Sequence, residues 1–292
     1  MNSNHYVAGV AGAGTMGSGI AITIARSGIP VTLFDPAESA LERSRQLISD
    51  FFNTAVAKGK MTPEDAQSAI SAVSYVSAIS ELKNVNVVVE AIFEDLGVKH
   101  EFLNAFLANA APDTLVLTNT STLSITEIAA GCARPAQVVG AHYCLPAPLM
   151  KLVEMSRGLQ TSDEAWQAAW RFQEATGQLP IETKDRPGFI LNHFCIPYHN
   201  DVIRMIESDI AAPEEIDRAM KSALGFAMGP CELIDLIGLD TQLRASEAFF
   251  AVTNDPRHAP PPLLRRMVAA GQLGRKTKGG FYNYSKDAIF GG

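Results

Sequence analysis

Positive charge is scarce in this chain of 292 residues: 24 Lys and Arg stand against 31 Asp and Glu, a net charge of −7. A general surface for nucleic acid or anionic membrane needs clustered Lys and Arg, so this balance argues against both. A local basic pocket for a phosphorylated small molecule stays open. Cysteine is scarce too. Cys132, Cys144, Cys195 and Cys231 lie far apart with no CxxC pair. That excludes a disulfide scaffold and argues against a structural zinc site. The four read as free thiols in a reducing compartment, and no metal is expected. Hydrophobic residues nonetheless reach 47%, with 19% charged, so disorder is excluded for most of the length. At roughly 150 residues per domain the length fits about two domains.

One stretch lacks charge altogether. No charged residue occurs from Tyr6 to Ala25, about the length of a membrane span. Gly9, Gly12, Gly14, Gly17 and Gly19 interrupt it, and no basic segment precedes it. Neither a span nor a signal peptide is expected. The expected location is the cytoplasm, with no nucleic-acid or membrane partner.

What is present is an alternation. Tyr6–Ala11, Pro30–Phe34, Asn86–Glu90, Leu115–Thr118, Val138–His142 and Leu152–Met155 read as buried strands. Amphipathic stretches such as Ala40–Lys58 and Val98–Ala111 lie between the early ones. Strand–helix alternation predicts an α/β fold with a parallel sheet covered on both faces. Thr62-Pro63-Glu64-Asp65 is a helix start, with a cap, a proline at the first helical position and acids in the first turn. Beyond Asp185-Arg186-Pro187-Gly188 only helical patterns remain. Ile216, Met220 and Leu224 recur after Pro213 and stop at Gly225; Leu263, Leu264, Met267 and Val268 form a face closed by Gly271. The expected division is residues 1–186 as a dinucleotide-binding domain and 187–292 as an all-helical C-terminal domain. Ser285–Gly292 are expected to be a frayed tail.

Gly12-Ala13-Gly14-Thr15-Met16-Gly17 spells GxGxxG between an expected strand and an expected helix. Gly12 allows the tight turn, Gly14 lets the backbone approach a pyrophosphate, and Gly17 lets helix and strand pack closely. Free N–H groups at the helix start then face the anion. Asp35 ends the next strand. An acid there accepts hydrogen bonds from the adenosine ribose and repels a 2′-phosphate, which favours NAD over NADP. A glycine-rich core turn with a surface Asp is the blander alternative.

Of six histidines, His142 stands out because it ends the apolar run Val138-Val139-Gly140-Ala141. Two short strands joined through Pro146-Ala147-Pro148 would bring Glu154 beside it. A carboxylate on one imidazole nitrogen fixes the tautomer and leaves the other nitrogen to take a proton. The spacing alone leaves open whether this is a general-base dyad or a structural pair. His193 and His199 do not share a helix face and read as packing or surface residues. Tyr282 and Tyr284 read as packing residues.

Six motifs, in order along nearly the whole chain, resemble the 3-hydroxyacyl-CoA dehydrogenase family, nearest its short-chain 3-hydroxybutyryl-CoA branch. They are GAGTMGSGIA (12–21), NTSTLSITEIA (119–129), HYCLPAPLMKLVE (142–154), RPGFILN (186–192), MGPCELIDLIGLD (228–240) and PPPLLRRMVAAGQLGRKTKGGFYNY (260–284). The resemblance implies a Rossmann-type NAD domain followed by a helical domain that forms a homodimer. It implies interconversion of an (S)-3-hydroxyacyl thioester and the 3-ketoacyl thioester. His142 would be the general base and Glu154 its partner; Ser121 would bind the reacting oxygen and Asn192 the substrate. Glu94, Lys99 and Lys276 match positions near the cofactor, and Lys58 matches a basic position that meets the CoA phosphates. Arg43, Arg45 and Lys60 would either join Lys58 in a phosphate patch or form a solvated helix face.

The chain also departs from the family pattern. Leu145 stands where the loop after the histidine commonly has Asn, His193 where Arg is common, and Ala227 where Pro is frequent. Phe51 fills a polar position on the CoA side, and Thr122 replaces a second Ser. Leu145 is expected to make the wall beside the reacting carbon more apolar. A free hydroxy acid, such as a sugar acid or a carnitine-like compound, and a carrier-protein-bound hydroxyacyl group are the alternative substrates.

Overall fold

Short Val-, Leu- and Ala-rich runs stopped by Gly, Asp or Asn extend into strands, because their β-branched and apolar side chains fill both faces of a covered sheet. The computed structural model describes residues 6–284 and separates into two units, one ending at Phe189 and the other starting at Ile190. His5 and the expected tail Ser285–Gly292 lie outside the described residues.

The first unit holds β1 (Ala8–Ala11), α1 (Thr15–Arg26), β2 (Val31–Phe34), α2 (Glu38–Ala57), α3 (Pro63–Ser71), β3 (Val73–Val76), β4 (Val87–Glu90) and α4 (Leu96–Leu107). It continues with β5 (Leu115–Thr118), α5 (Ile125–Ala130), β6 (Val138–Tyr143), β7 (Leu152–Arg157), α6 (Asp163–Ala175) and β8 (Leu179–Thr183). The strands form one sheet in the order β3-β2-β1-β4-β5-β6-β7-β8. Successive valines of β4 serve opposite faces. Val87 and Val89 join a core with Ile20, Ile48, Phe52 and Phe172. Val88 joins another with Leu103, Phe106, Ile125 and Ile128. Thr62 caps α3 as expected, accepting from Asp65 N.

The sheet corrects one expectation. It is parallel from β3 through β6, but β7 runs antiparallel to β6, and β8 is parallel to β7. Residues 144–151 are too few for the crossover that a parallel return needs, so the chain doubles back beside itself. Two strands were also not anticipated, β3 and β8. Both lie at the sheet edges, and β8 contains Pro180, a residue that only an edge strand or a bulge tolerates well.

The second unit contains α7 (Leu191–Glu207), α8 (Pro213–Leu224), α9 (Pro230–Ile237), α10 (Leu239–Thr253) and α11 (Pro262–Ala269). Among its described residues there is no strand, only isolated bridges at Gly274, Gly279 and Asn283. Ile203, Ile234, Leu239 and Leu264 centre one core and Val202, Ile216 and Cys231 another. Gly225, in the left-handed region at φ 70°, closes α8. Two buried acids fasten the last described segment to these helices. Asp217 accepts from Cys231 N, Glu232 N and the Tyr282 hydroxyl, at 2.8, 3.0 and 2.8 Å. Asp235 accepts from Phe281 N, Tyr282 N and the Tyr284 hydroxyl, at 3.0, 2.9 and 3.0 Å.

The charge-free run Tyr6–Ala25 is β1 and most of α1. Among the described residues no helix is long and apolar enough to cross a membrane.

Candidate active site

At the carboxyl ends of β1, β2 and β4, where the strand order reverses direction, an open α/β sheet leaves a crevice for a ligand. Here a cleft of ≈ 930 Å³ opens at that point, lined by Gly12–Thr15, Phe34–Ala37 and Ala91–Phe93 among others. Gly12 has φ +99°, which L side chains rarely adopt, and a Cβ on Gly17 would sit 1.7 Å from Gly12 O. At Gly14 a Cβ would meet nothing within 4 Å, so the backbone there faces open space. Gly14 is also the N-cap of α1 and offers no side chain to its free N–H groups. An uncapped helix start beside open space suits an anionic diphosphate. Asp35 Oδ2 accepts from Ala13 N and Oδ1 from Ala37 N, each at 2.9 Å, so the carboxylate is fixed at the edge of the cradle. These residues fit a bound dinucleotide. Thr15 and Met16 open α1. Arg43 lines the same cleft, whereas Arg45 pairs with Glu42 and lies over the Tyr75 ring.

The antiparallel pairing of β6 with β7 sets His142 directly opposite Glu154. His142 Nδ1 lies 2.9 Å from Glu154 Oε2, and the Glu154 side chain is fully buried. With Glu154 ionised, Nδ1 carries the hydrogen and Nε2 is the basic nitrogen. His142 Nε2 makes no hydrogen bond among the described residues, and the imidazole packs against Phe189 with ring centroids 5.5 Å apart. Next along β6, Tyr143 N donates to Asn119 Oδ1 at 2.9 Å. This bond ties the end of the histidine strand to the loop after β5, the loop that carries Ser121. Leu145 begins the turn beyond, half exposed, and its peptide bond to Pro146 is cis. That turn is held to α1 by Thr23 Oγ1 on Ala147 O and Arg26 Nη1 on Pro148 O.

Glu94 and Lys99 stand beside the Ser121 loop. Lys99 is buried and reaches both Glu90 and Glu94. Burial alone would raise the Glu94 carboxyl; the Lys99 ammonium and the donors of Thr120, Thr122 and Ser121 outweigh it and hold the group below its usual range. Glu90 was not singled out from the sequence. Its signal was there: a carboxylate at the end of the run Val87-Val88-Val89, nine residues before a lysine. Asp185 was likewise read only as part of a domain boundary. It receives Ser124 Oγ, Ile125 N, Thr126 N and Thr126 Oγ1 and so holds the start of α5.

The remaining site residues are placed as follows. Lys58 is exposed at the C-cap of α2. Phe51, on the same helix, packs against the core. In the second unit, Asn192 is in the first turn of α7, and Lys276 in the turn Arg275–Thr277 pairs with Asp240. His199 is buried against Gln242, while His193 is exposed near the His258 ring.

Comparison with known proteins covers almost the whole chain. Residues 7–186 match the family model described as 3-hydroxyacyl-CoA dehydrogenase, NAD binding domain. Residues 188–284 match that described as 3-hydroxyacyl-CoA dehydrogenase, C-terminal domain. A protein named probable 3-hydroxybutyryl-CoA dehydrogenase from Bacillus subtilis is 40% identical over 282 residues, 95% of this chain and 96% of the relative. The 3-hydroxybutyryl-CoA dehydrogenase of Mycobacterium tuberculosis is 38% identical over 278 residues, 94% and 97% of the two chains. The crystal structure of M. tuberculosis FadB2 superposes with a TM-score of 0.92 at 38% identity, over 96% of this chain and 99% of that one. A glycine cradle built for a dinucleotide, two matched domains and relatives aligned almost end to end agree: the chain belongs to the NAD-dependent 3-hydroxyacyl-CoA dehydrogenase family.

Proposed function

We propose that this protein interconverts (S)-3-hydroxyacyl-CoA and 3-ketoacyl-CoA, with His142 as the general base and Glu154 as its fixed partner. The observation that carries the reading is the 2.9 Å bond from His142 Nδ1 to a fully buried Glu154. It leaves Nε2 as the proton acceptor and places a negative charge where imidazolium charge develops. Gly12–Gly17 would hold the NAD diphosphate and Asp35 the adenosine ribose; when bound, NAD supplies the acceptor of the C3 hydride.

In the oxidising direction Nε2 takes the C3 hydroxyl proton. In the reducing direction the imidazolium returns it to the C3 oxygen. Ser121 donates a hydrogen bond to that oxygen, and Asn192 holds the thioester substrate. Lys58 is proposed to meet a CoA phosphate. Glu94 and Lys276 are proposed to lie on the cofactor side, and Lys99, buried behind Glu94, acts there through it. Leu145 is proposed to narrow the acyl choice by presenting an apolar side chain in the turn after the base. Relatives named as 3-hydroxybutyryl-CoA dehydrogenases support a short acyl chain. A homodimer through the helical unit is proposed on the family resemblance.

The test is turnover of NADH with acetoacetyl-CoA, read as loss of absorbance at the NADH band. His142→Ala is expected to lower kcat by about 10²- to 10⁴-fold, the span of general acid–base catalysis. NADH binding should be retained. Turnover confined to free hydroxy acids, or undiminished in His142→Ala, would overturn the reading.

A further inference from the structure

Glu90 is fully buried at the end of β4, and the proposed reaction has not used it. A carboxylate withdrawn from water is costly unless it is paired and hydrogen-bonded. Glu90 is both. Its Oε1 lies 2.6 Å from Lys99 Nζ and accepts from Ile92 N at 2.9 Å. Its Oε2 accepts from Thr118 Oγ1 at 2.6 Å. Lys99 is equally buried, and its ammonium stands 3.3 Å from Glu94 Oε2. The other Glu94 oxygen faces the loop after β5. Glu94 Oε1 accepts from Thr120 Oγ1 at 2.6 Å, Ser121 N at 2.8 Å, Thr122 N at 2.9 Å and Thr122 Oγ1 at 3.0 Å. A continuous carboxylate–ammonium–carboxylate chain therefore runs from the core end of β4 to the backbone of residues 120–122.

We propose that Glu90, Lys99 and Glu94 are positioning residues that fix the Ser121 hydroxyl for the substrate oxygen. The inference rests on Ser121 acting in the proposed reaction. The distances say how it would work. Ser121 Oγ is 3.4 Å from Glu94 Oε1, the longest contact of the set. The hydroxyl can therefore leave Glu94 for a substrate oxygen while the shorter amide bonds keep the loop in place. Lys99 sets where Glu94 sits, and Glu90 sets where Lys99 sits. Without Glu90 the ammonium has only Glu94 to neutralise it, and the carboxylate is drawn toward Lys99 and off the loop. A buried ammonium with two carboxylates at 2.6 and 3.3 Å is held more tightly than an exposed pair, because water competes little for Lys99 or Glu90.

The experiment is a set of double-mutant cycles in the full chain, pairing Glu90→Gln and Glu94→Gln each with Ser121→Ala. It reads kcat and KM with acetoacetyl-CoA and NADH, the NADH Kd by fluorescence, and amide hydrogen exchange at residues 120–122 without cofactor. Each Glu variant is expected to lower kcat about tenfold alone and less than about twofold when Ser121 is already Ala, since residues acting through one group are strongly non-additive. Exchange at the Ser121 and Thr122 amides should accelerate in both. Equal losses with and without Ser121 would overturn the inference and leave the proposed reaction standing. A weaker NADH Kd with kcat preserved at saturation would overturn it, leaving Glu94 and Lys99 with the proposed cofactor-side role alone. An unchanged kcat in Ser121→Ala alone would remove Ser121 from the reaction, and the inference with it. If Glu90→Gln does not fold, the partly exposed Glu94→Gln decides the same question.

Discussion

At the scale of single residues, the proposed chemistry depends on which nitrogen of His142 holds the hydrogen. Glu154 decides this through one bond across two strands. Glu154→Gln keeps the shape but can present an amide N–H to Nδ1 and so favour the wrong tautomer. Its kcat is expected to fall by about 10²- to 10⁴-fold with the NADH Kd unchanged, as stopped-flow rates and a fluorescence titration would report. Leu145→Asn tests the turn beside the proposed base. It should shift relative kcat/KM across a panel of 3-ketoacyl-CoA chain lengths and branches; an unaltered ranking would remove Leu145 from acyl selection. At this scale the sequence was readable where one residue type has one use. His142 at a strand end and Asp35 after β2 were both visible. Glu90 and Asp185 were not, because a carboxylate's burial depends on distant donors such as Thr118 and Thr126.

At the scale of elements, the glycine cradle and the strand pair position the site. Gly17→Ala would drive its Cβ into Gly12 O at 1.7 Å, against backbone that cannot give way. The variant should lose about 1–3 kcal/mol or more of stability and most of its NADH binding, measurable by chemical denaturation and titration. Asp35→Ser should raise the NADPH-to-NADH ratio of kcat/KM, since the charge that repels a 2′-phosphate is gone. Elements with strong local signals were legible: α3 from its cap and proline, α8 from its spacing and Gly225, β4 from its valines. The direction of β7 was legible only through the short connection 144–151 that brings Glu154 beside His142, because apolar alternation carries no sign of strand polarity. β3 and β8 escaped because edge strands bury fewer of their side chains and so show a weaker apolar run; β8 adds a proline.

At the scale of the whole molecule, acid sensitivity follows from buried groups. His199 is buried, donates from Nδ1 to Gln242, and leaves Nε2 without a hydrogen-bond partner among the described residues. Burial pushes its pKa below the usual 6.5, with the Gln242 bond only partly offsetting this. The unfolded chain then binds more protons than the folded one as pH falls through 6.5, so stability drops in that direction. Glu94, held below its usual 4.5, contributes stability present above that value and lost as pH falls through its folded pKa. Chemical denaturation between pH 7.5 and 5.5 should show declining stability in the parent chain and a flatter profile in His199→Gln. At this scale helix-only and strand-bearing sequence differ in apolar period over many residues; the texture changes near residue 186, and the two units separate between Phe189 and Ile190.

The acids Asp217 and Asp235 have one further consequence. Phe281, Tyr282 and Tyr284 supply the three hydrogen bonds described for Asp235, whereas Asp217 takes only the Tyr282 hydroxyl from them. A proteolytic nick just before Phe281 would take these donors from Asp235 in an oily interior, while Asp217 would keep the amides of Cys231 and Glu232. Such a nicked product should be cleared by cellular proteases rather than accumulate as a folded remnant, which makes these few residues a safeguard against partial digestion.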